Sequence, residues 1–195
     1  MFDSISQKTW EKFFEDQKKI NPFIDYGNAK DLKVEDFASS LFPTRATSKS
    51  AGYDFRSPID FVCSPDALRI LLPTGFKWNP IDSVMYTHKI GTKFGEVSNE
   101  YALYLKNAFL ALYPRSSLAF KYGFRLLNTT GIIDADYYNN PDNEGHILLA
   151  IEVQREMHIK VGDKICQGVI QIYGQCDLEE EIEASRQGGF GSTGK

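Results

Sequence analysis

One stretch of the sequence, Asn128-Thr-Thr-Gly-Ile-Ile-Asp-Ala-Asp-Tyr137, combines residue types that could hydrolyse a bond in a ligand containing a sugar or a base. Its apolar isoleucine pair favours a strand and Gly131 favours a turn, so the stretch predicts a β-hairpin with Asp134 where the strand ends. A carboxylate in that position is oriented by the sheet yet open to a cleft, which suits a general base. Tyr137 offers a flat apolar face that can stack on a sugar or base. The alternative is an Asp-rich turn beside surface tyrosines.

The segment Tyr113–Gly123 contains residue types that bind phosphate. Pro114 should end a strand, after which Arg115, Ser116 and Ser117 offer a guanidinium group and two hydroxyls. The serines could instead cap the start of a helix. Both interpretations can hold together, because a helix N-terminus itself attracts anions.

The segment 186–195 holds four glycines among ten residues, and its last seven residues match the beginning of a P-loop, GxxxxGK. A P-loop also needs a buried strand before it and a helix after it. An acidic polar segment precedes this one, so we do not expect a P-loop NTPase. Its glycine amides, with Arg186, Ser192 and Thr193, could still wrap a polyphosphate, and Phe190 could stack on a base. We expect this arm to be mobile without ligand.

Composition excludes several other functions. The 195 residues carry a net charge of −4, with 42% hydrophobic and 25% charged residues, which is typical of a soluble globular protein. This charge argues against stable nucleic-acid or membrane binding. Cysteines 63, 166 and 176 are unrelated in spacing and predict reduced thiols in a cytoplasm, with neither a disulfide framework nor a zinc site. The first residues show no signal peptide pattern.

Two helices and several short strands should position these residues. Apolar spacing predicts an amphipathic helix over 5–20 that packs on the domain or on a neighbouring subunit, and a second helical piece from Lys33 to Leu41. From Pro43 onward, short segments between Gly, Pro and Asn residues favour a β-sandwich or jelly roll. The candidate strands are Gly52–Phe55, Ala67–Leu72, Tyr101–Leu105, Phe109–Tyr113, Ile147–Gln154 and Lys164–Tyr173.

Five segments, in this order, resemble the motifs of the trimeric dUTPases (deoxyuridine triphosphate nucleotidohydrolases). Alone, each is weak; the turn at Gly162-Asp163, for example, would predict only a hairpin. The run Tyr137–His146 is similar to the longer third-motif loop of bacterial and phage members. The matching segments are Ser50–Phe55, Pro114–Ala119 with Lys121 and Gly123, Asn128–Tyr137, Gly162–Gln167 and Gly188–Gly194.

The resemblance implies an all-β jelly-roll subunit in a homotrimer, with each active site assembled from all three chains. It implies hydrolysis of dUTP to dUMP and pyrophosphate, with Mg²⁺ bound mainly by the three phosphates. Such a reaction keeps uracil out of DNA and supplies dUMP. It would take place in the cytoplasm of a bacterial or phage-infected cell.

The resemblance also implies roles for residues that bind the nucleoside and activate water. Asp134 would activate the attacking water. Tyr137 would stack on deoxyribose and exclude a 2′-hydroxyl. Asn128 and the backbone around it, including Gly131 and Ile133, would read uracil.

A second set of residues would hold the phosphates and the metal. Asp54 would contact Mg²⁺ through water, and Phe190 would close over uracil. Arg186 is less typical, because it lies two residues before Gly188 whereas family members usually place this arginine three before. The phosphate-binding residues implied by position are Arg115, Ser116, Ser117, Gln167, Arg186, Gly189, Gly191, Ser192 and Thr193.

The expected organisation has three parts: an N-terminal helical extension over 1–42, a β domain over 43–177 with an insert at about 78–99, and a linker and Gly-rich arm over 178–195. Two alternatives remain at this point. A dCTP deaminase-like enzyme of the same fold would carry a Glu as its base, where this sequence has Asp134. A dUTPase-like phage or bacterial regulatory protein would bind a partner protein through the insert or the first helix.

Overall fold

The structure, a computed structural model, describes residues 2–67, 70–80 and 107–174. Its strands are β1 Phe2–Ser4, β2 Thr44–Arg45, β3 Tyr53–Arg56, β4 Phe61–Cys63, β5 Ile70–Pro73, β6 Phe76–Trp78, β7 Ala108–Pro114, β8 Arg125–Leu126, β9 Gly131–Ile133, β10 Leu148–Glu152, β11 Met157–Ile159 and β12 Lys164–Ile172. Its α-helices are α1 Gln7–Ile20, α2 Val34–Ala38 and α3 Ser116–Tyr122. Two 3-10 helices cover Ala29–Asp31 and Ala135–Tyr137.

The largest sheet carries four of the ten candidate site residues in the described ranges, and two more, Arg115 and Asp134, directly follow strands of this sheet. Its strand order is β2-β3-β12-β7-β9, and every neighbouring pair is antiparallel. The long strand β12 lies in the middle, with Gln167 opposite Asp54 on β3 and opposite Tyr113 on β7. The sheet therefore brings together three segments that lie far apart in the sequence.

The remaining strands form a three-stranded sheet, β5-β10-β8, and the pairs β11-β4 and β1-β6, all antiparallel. The expected all-β fold is confirmed, and five of the six candidate strands overlap observed ones. The sixth, at 101–105, lies outside the described residues. The short strands β1, β2, β4, β6, β8 and β11 were not among the candidates.

The predicted hairpin around Gly131 is wrong, although the strand and its end are where the sequence places them. β8 pairs with β10, whereas β9 pairs with β7 in the large sheet. The turn at Gly162 exists, with a φ of 88° that favours glycine, but the strands on either side also belong to different sheets. In both places the chain passes from one sheet to another.

Helix α1 confirms the first predicted helix and α2 the second. The Ser6 Oγ accepts a hydrogen bond from the Thr9 amide at 3.3 Å, which caps the first turn. Trp10 is fully buried, and its indole N–H donates to the Ala29 carbonyl at 3.0 Å. Phe13 and Phe14 lie on the same side, so α1 packs on the domain through an aromatic face.

The N-terminal extension and the strands share one continuous hydrophobic cluster, which includes Phe2 and Trp10 from the extension and Phe55 and Leu149 from the strands. The domain boundaries proposed from the sequence stay predictions. Within the described ranges, no helix is both long enough and apolar enough to cross a bilayer.

Both cysteines in the described part of the chain are free and buried, as expected for reduced thiols. Burial raises the pKa of the Cys63 thiol to about 12 and that of the Cys166 thiol further still, so neither is a reactive thiolate. Cys176 lies outside the described residues.

Candidate active site

Asp134 stands at the point where strand β9 ends. Its backbone is extended, and its carbonyl accepts the Tyr137 amide at 3.1 Å to begin a 3-10 helix. The carboxylate does not cap that helix and is half-buried, whereas the nearby Asp136 is exposed. The sheet therefore fixes the backbone of Asp134 and leaves part of its side chain accessible to solvent or substrate.

A small cavity of about 150 Å³ lies beside β9. Four residues predicted to bind the nucleoside line it, namely Asn128, Gly131, Ile133 and Tyr137. Residues 148–150 of β10 also line it. The cavity thus combines apolar surface with an amide side chain, a combination suited to a flat polar ring.

Gly131 sits where two strands approach closely. A Cβ atom at this position would lie 3.1 Å from the Cβ and Cδ1 atoms of Leu112 on β7. Just before it, Thr129 has a φ of 60°, a conformation that is costly for a β-branched residue. The turn from Leu126 to Thr130 is therefore tightly determined, with the Thr129 amide donating to the Leu126 carbonyl at 3.0 Å.

Tyr137 is buried, which rules out the alternative of a surface tyrosine at this position. Its hydroxyl donates to the His146 carbonyl at 3.2 Å and accepts from the Asn143 side-chain amide at 2.7 Å. Asn140 donates to the Tyr137 carbonyl at 2.9 Å. These bonds hold both the backbone and the hydroxyl of Tyr137 while its ring lines the cavity.

A second cluster lies at the other end of the large sheet. Asp54 is buried and accepts a hydrogen bond from the Arg115 guanidinium group. The Lys164 ammonium group lies 2.7 Å from the other oxygen, Oδ2, as an ion pair without hydrogen-bond geometry. One buried carboxylate therefore orients two cations, whose side chains are 28% and 32% exposed and can still reach an anion.

Gln167 and the start of α3 complete this second cluster. A Cβ atom at Gly52 would lie 2.8 Å from the Gln167 Oε1 atom, so glycine leaves the space that this side chain occupies. Arg115 precedes the first turn of α3, and Ser116 and Ser117 are exposed. The first amides of a helix lack intrahelical acceptors, so they and the two hydroxyls can donate to phosphate oxygens.

Within one chain the two clusters lie well apart. Leu110 on β7 lies opposite Ile133, the residue directly before Asp134. Arg115 lies five residues after Leu110 in the sequence. At about 3.3 Å per residue, roughly 17 Å of strand separates the acid from the phosphate-binding cluster.

Sequence reasoning missed Lys164 as a partner of Asp54, although it stands within the fourth matching segment. The tail residues 186, 189, 190, 191, 192 and 193 lie outside the described residues, as does the insert from residue 81 onward. Their predicted roles, and a partner protein bound by the insert, therefore stay untested.

The described ranges contain no group of three or more His, Cys, Asp or Glu side chains that could hold a metal ion. Asp54 is the residue that the sequence predicts to contact a metal. Its Oδ2 atom is buried and accepts no hydrogen bond from any described residue, although Lys164 is near. Arg115 and Lys164 already neutralise this carboxylate, so the residues present fit an indirect contact with the metal through water better than direct coordination.

The antiparallel sheets, the small cavity lined by apolar residues and an asparagine, and the separate cationic cluster define an all-β protein with surfaces suited to a nucleotide. A sequence model of the dUTPase family matches residues 103–194. The deoxyuridine 5′-triphosphate nucleotidohydrolase of Lactococcus lactis is 37% identical over 155 residues, covering 78% of this chain and 87% of that protein. That of Nautilia profundicola is 32% identical over 160 residues, covering 80% and 92%.

The crystal structure of dUTPase from Streptococcus mutans aligns with a TM-score of 0.54 and 31% identity, covering 71% of this chain and 91% of that one. The chain belongs to the dUTPase family. The alternative of a dCTP deaminase-like enzyme finds no support among these relatives.

Proposed function

We propose that the protein hydrolyses dUTP to dUMP and pyrophosphate, with Asp134 as the general base. The observation that carries the proposal is the cavity lined by Asn128, Gly131, Ile133 and Tyr137, with Asp134 directly after the strand that forms its edge. The reaction is the one named for the relatives from Lactococcus lactis and Nautilia profundicola.

Hydrolysis breaks the phosphorus–oxygen bond between the α and β phosphates as a water molecule attacks phosphorus. Asp134 takes a proton from this water, and the pyrophosphate leaves with the bridging oxygen. Phosphoryl transfer needs positioning and charge neutralisation more than covalent help. Arg115, the hydroxyls of Ser116 and Ser117, and the amide of Gln167 supply donors for the phosphate oxygens.

Selectivity follows from the cavity. The Asn128 side chain and the backbone near Gly131 offer donors and acceptors for the edge of uracil. The Tyr137 ring, fixed by its hydroxyl and carbonyl, lies flat against deoxyribose and leaves no space for a 2′-hydroxyl. An analogue that brings an extra oxygen to this wall should therefore bind poorly.

Mg²⁺ would be held mainly by the substrate phosphates, with Asp54 contacting one of its waters. The ion supplies charge neutralisation for the triphosphate. Asp54 would also keep the Arg115 guanidinium group and the Lys164 ammonium group turned toward those phosphates.

The active site would be shared between subunits of a homotrimer. The separation of Asp134 and Arg115 along β7 supports this, because one chain alone does not bring the acid to the phosphate-binding cluster. Phe120 on α3 and Ile132 on β9 are exposed apolar residues beside the two clusters, as expected of a subunit contact. Light scattering should give a mass near three times 22.1 kDa.

The general base is tested by comparing Asp134→Asn with Asp136→Asn. The first should lower kcat by roughly 10²–10⁴-fold with little change in nucleotide binding, the usual contribution of a positioned base. The second is a matched control two residues away, and it should have a much smaller effect because Asp136 is exposed. Equal losses in the two variants would refute the assignment.

Site sharing is tested by mixing two inactive variants, Asp134→Asn and Arg115→Ala. If each site takes the acid from one chain and the arginine from another, random mixed trimers contain intact sites. For equal amounts, about a quarter of the sites are intact, so about a quarter of wild-type activity should return. Mixed trimers without activity would show that both residues act within one chain.

A further inference from the structure

The loop that follows Tyr137, residues 138–145, makes several contacts with side chains of the N-terminal extension. The Tyr138 hydroxyl donates to the Asp3 carboxylate at 2.6 Å, and the Lys12 ammonium group lies 2.8 Å from the Asp142 carboxylate. Lys77, on the strand that pairs with β1, donates to the Asn139 side chain at 2.7 Å. Two separate parts of the extension, β1 and α1, therefore contact this loop.

Glu144 makes the most extensive of these contacts. Its carboxylate accepts from the Ser6 amide at 3.1 Å, from the Thr9 hydroxyl at 2.6 Å and from the Ser6 hydroxyl, and Lys77 lies 3.5 Å away. Burial alone would raise the pKa of Glu144, but the hydrogen bonds from Ser6 and Thr9 and the charge of Lys77 outweigh it and lower the pKa to about 2. The ionised carboxylate faces the positive N-terminus of α1.

Hydrogen bonds within the loop connect Glu144 to Tyr137. Glu144 has a φ of 59°, and its amide donates to the Asn140 carbonyl at 3.0 Å. The side chain of Asn140 holds the Tyr137 carbonyl, and that of Asn143 holds the Tyr137 hydroxyl. A Cβ atom at Gly145 would lie 2.6 Å from the Tyr137 carbonyl oxygen, so the end of the loop packs directly against Tyr137.

We propose that the N-terminal segment 2–20 is a positioning element of the substrate site, acting through Glu144 on the ring of Tyr137. Neither Glu144 nor α1 lines the cavity, so the segment would act by fixing the position of the Tyr137 ring. A displaced ring would lower the selectivity for a deoxyribonucleotide over a ribonucleotide. The proposal rests on the proposed role of Tyr137. The left-handed conformations of Asn139 and Glu144 favour relaxation of the loop once its external contacts are lost.

Glu144→Ala tests the proposal by steady-state kinetics with dUTP and UTP, at a temperature where circular dichroism shows the variant folded. The ratio of kcat/KM for dUTP to that for UTP should fall about 2- to 30-fold, the range for residues that act on a site without contacting its ligand. Glu144→Gln keeps an oxygen that can accept from Ser6 and Thr9, so it should restore part of the ratio. Asp16→Ala is the matched control, since Asp16 lies on α1 and pairs with Lys19.

A second comparison separates this proposal from the role of Tyr137 itself. If Glu144 acts through Tyr137, adding Glu144→Ala to Tyr137→Ala should lower the ratio no further. A Tyr137→Ala variant with unchanged discrimination would overturn both proposals. Reduced discrimination in Tyr137→Ala but not in folded Glu144→Ala would overturn the positioning role alone, as would an equal loss in Asp16→Ala. If Glu144→Ala does not fold, Thr9→Val, which removes one bond to the carboxylate, replaces it under the same criteria.

Discussion

Replacing Asp54 by asparagine should destabilise the protein because it leaves two cations without their counter-charge. Asp54 is 4% exposed and contacts both Arg115 and Lys164. Removing one partner of a fully buried ion pair costs about 3–5 kcal/mol. The two cations here keep 28% and 32% of their side-chain surface exposed, so water screens part of their repulsion, and we expect about 2 kcal/mol.

Thermal unfolding at fixed protein concentration and without nucleotide measures this change. For a chain of this length about 2 kcal/mol corresponds to a Tm lowered by about 4–8 °C. The matched control is Glu152→Gln, because Glu152 pairs with Arg125 between neighbouring strands in an exposed position. That pair should contribute about 0–1 kcal/mol and shift Tm by no more than about 4 °C.

An Asp54→Asn variant with the Tm of the control would refute the view that Asp54 holds the two cations. The same substitution should weaken substrate binding, since Arg115 would lose the contact that orients it. Unchanged KM for dUTP alongside a lowered Tm would mean that the cluster is structural and does not bind phosphate.

Acid should destabilise the protein through His146 and Glu144. Burial lowers the pKa of His146 to about 3 in the folded protein, whereas its pKa in the unfolded chain is near 6.5. The stability that neutral His146 contributes is therefore fully present above pH 6.5 and is lost as the pH falls toward 3. Glu144 adds the same trend below about 4.5, and urea titrations from pH 7 to 4.5 should show a flatter pH dependence for His146→Gln than for wild type. Deleting residues 186–195 should lower kcat far more than it weakens binding of a non-hydrolysable dUTP analogue, because closure over the phosphates excludes water; a truncated protein that keeps most of its kcat would contradict the predicted role of the arm.

Local patterns in the sequence were enough to find α1, most of the longer strands and the placement of Asp134 at a strand end. Each of these depends on residues within a few positions of one another. The strand partners of β8 and β9 depend on distant segments, so the hairpin prediction failed at Gly131.

The remaining features depend on contacts between segments far apart in the chain. Lys164 reaches Asp54 because β12 pairs with β3, and no local spacing indicates this. Ser6 and Glu144 are 138 residues apart in sequence, so the connection of the N-terminal helix to the loop after Tyr137 is visible only in the fold. The family resemblance supplied residue roles, but it contained nothing about the extension.

The measurement that tests the central claim most directly is release of pyrophosphate from dUTP, compared with dCTP, dTTP and UTP, with and without Mg²⁺. Rapid release from dUTP alone, strongly reduced when the metal is chelated, is the predicted result. Comparable release from UTP or dTTP would contradict the selectivity assigned to the cavity. Deamination of dCTP, or no pyrophosphate from dUTP in the presence of Mg²⁺, would contradict the proposed reaction itself.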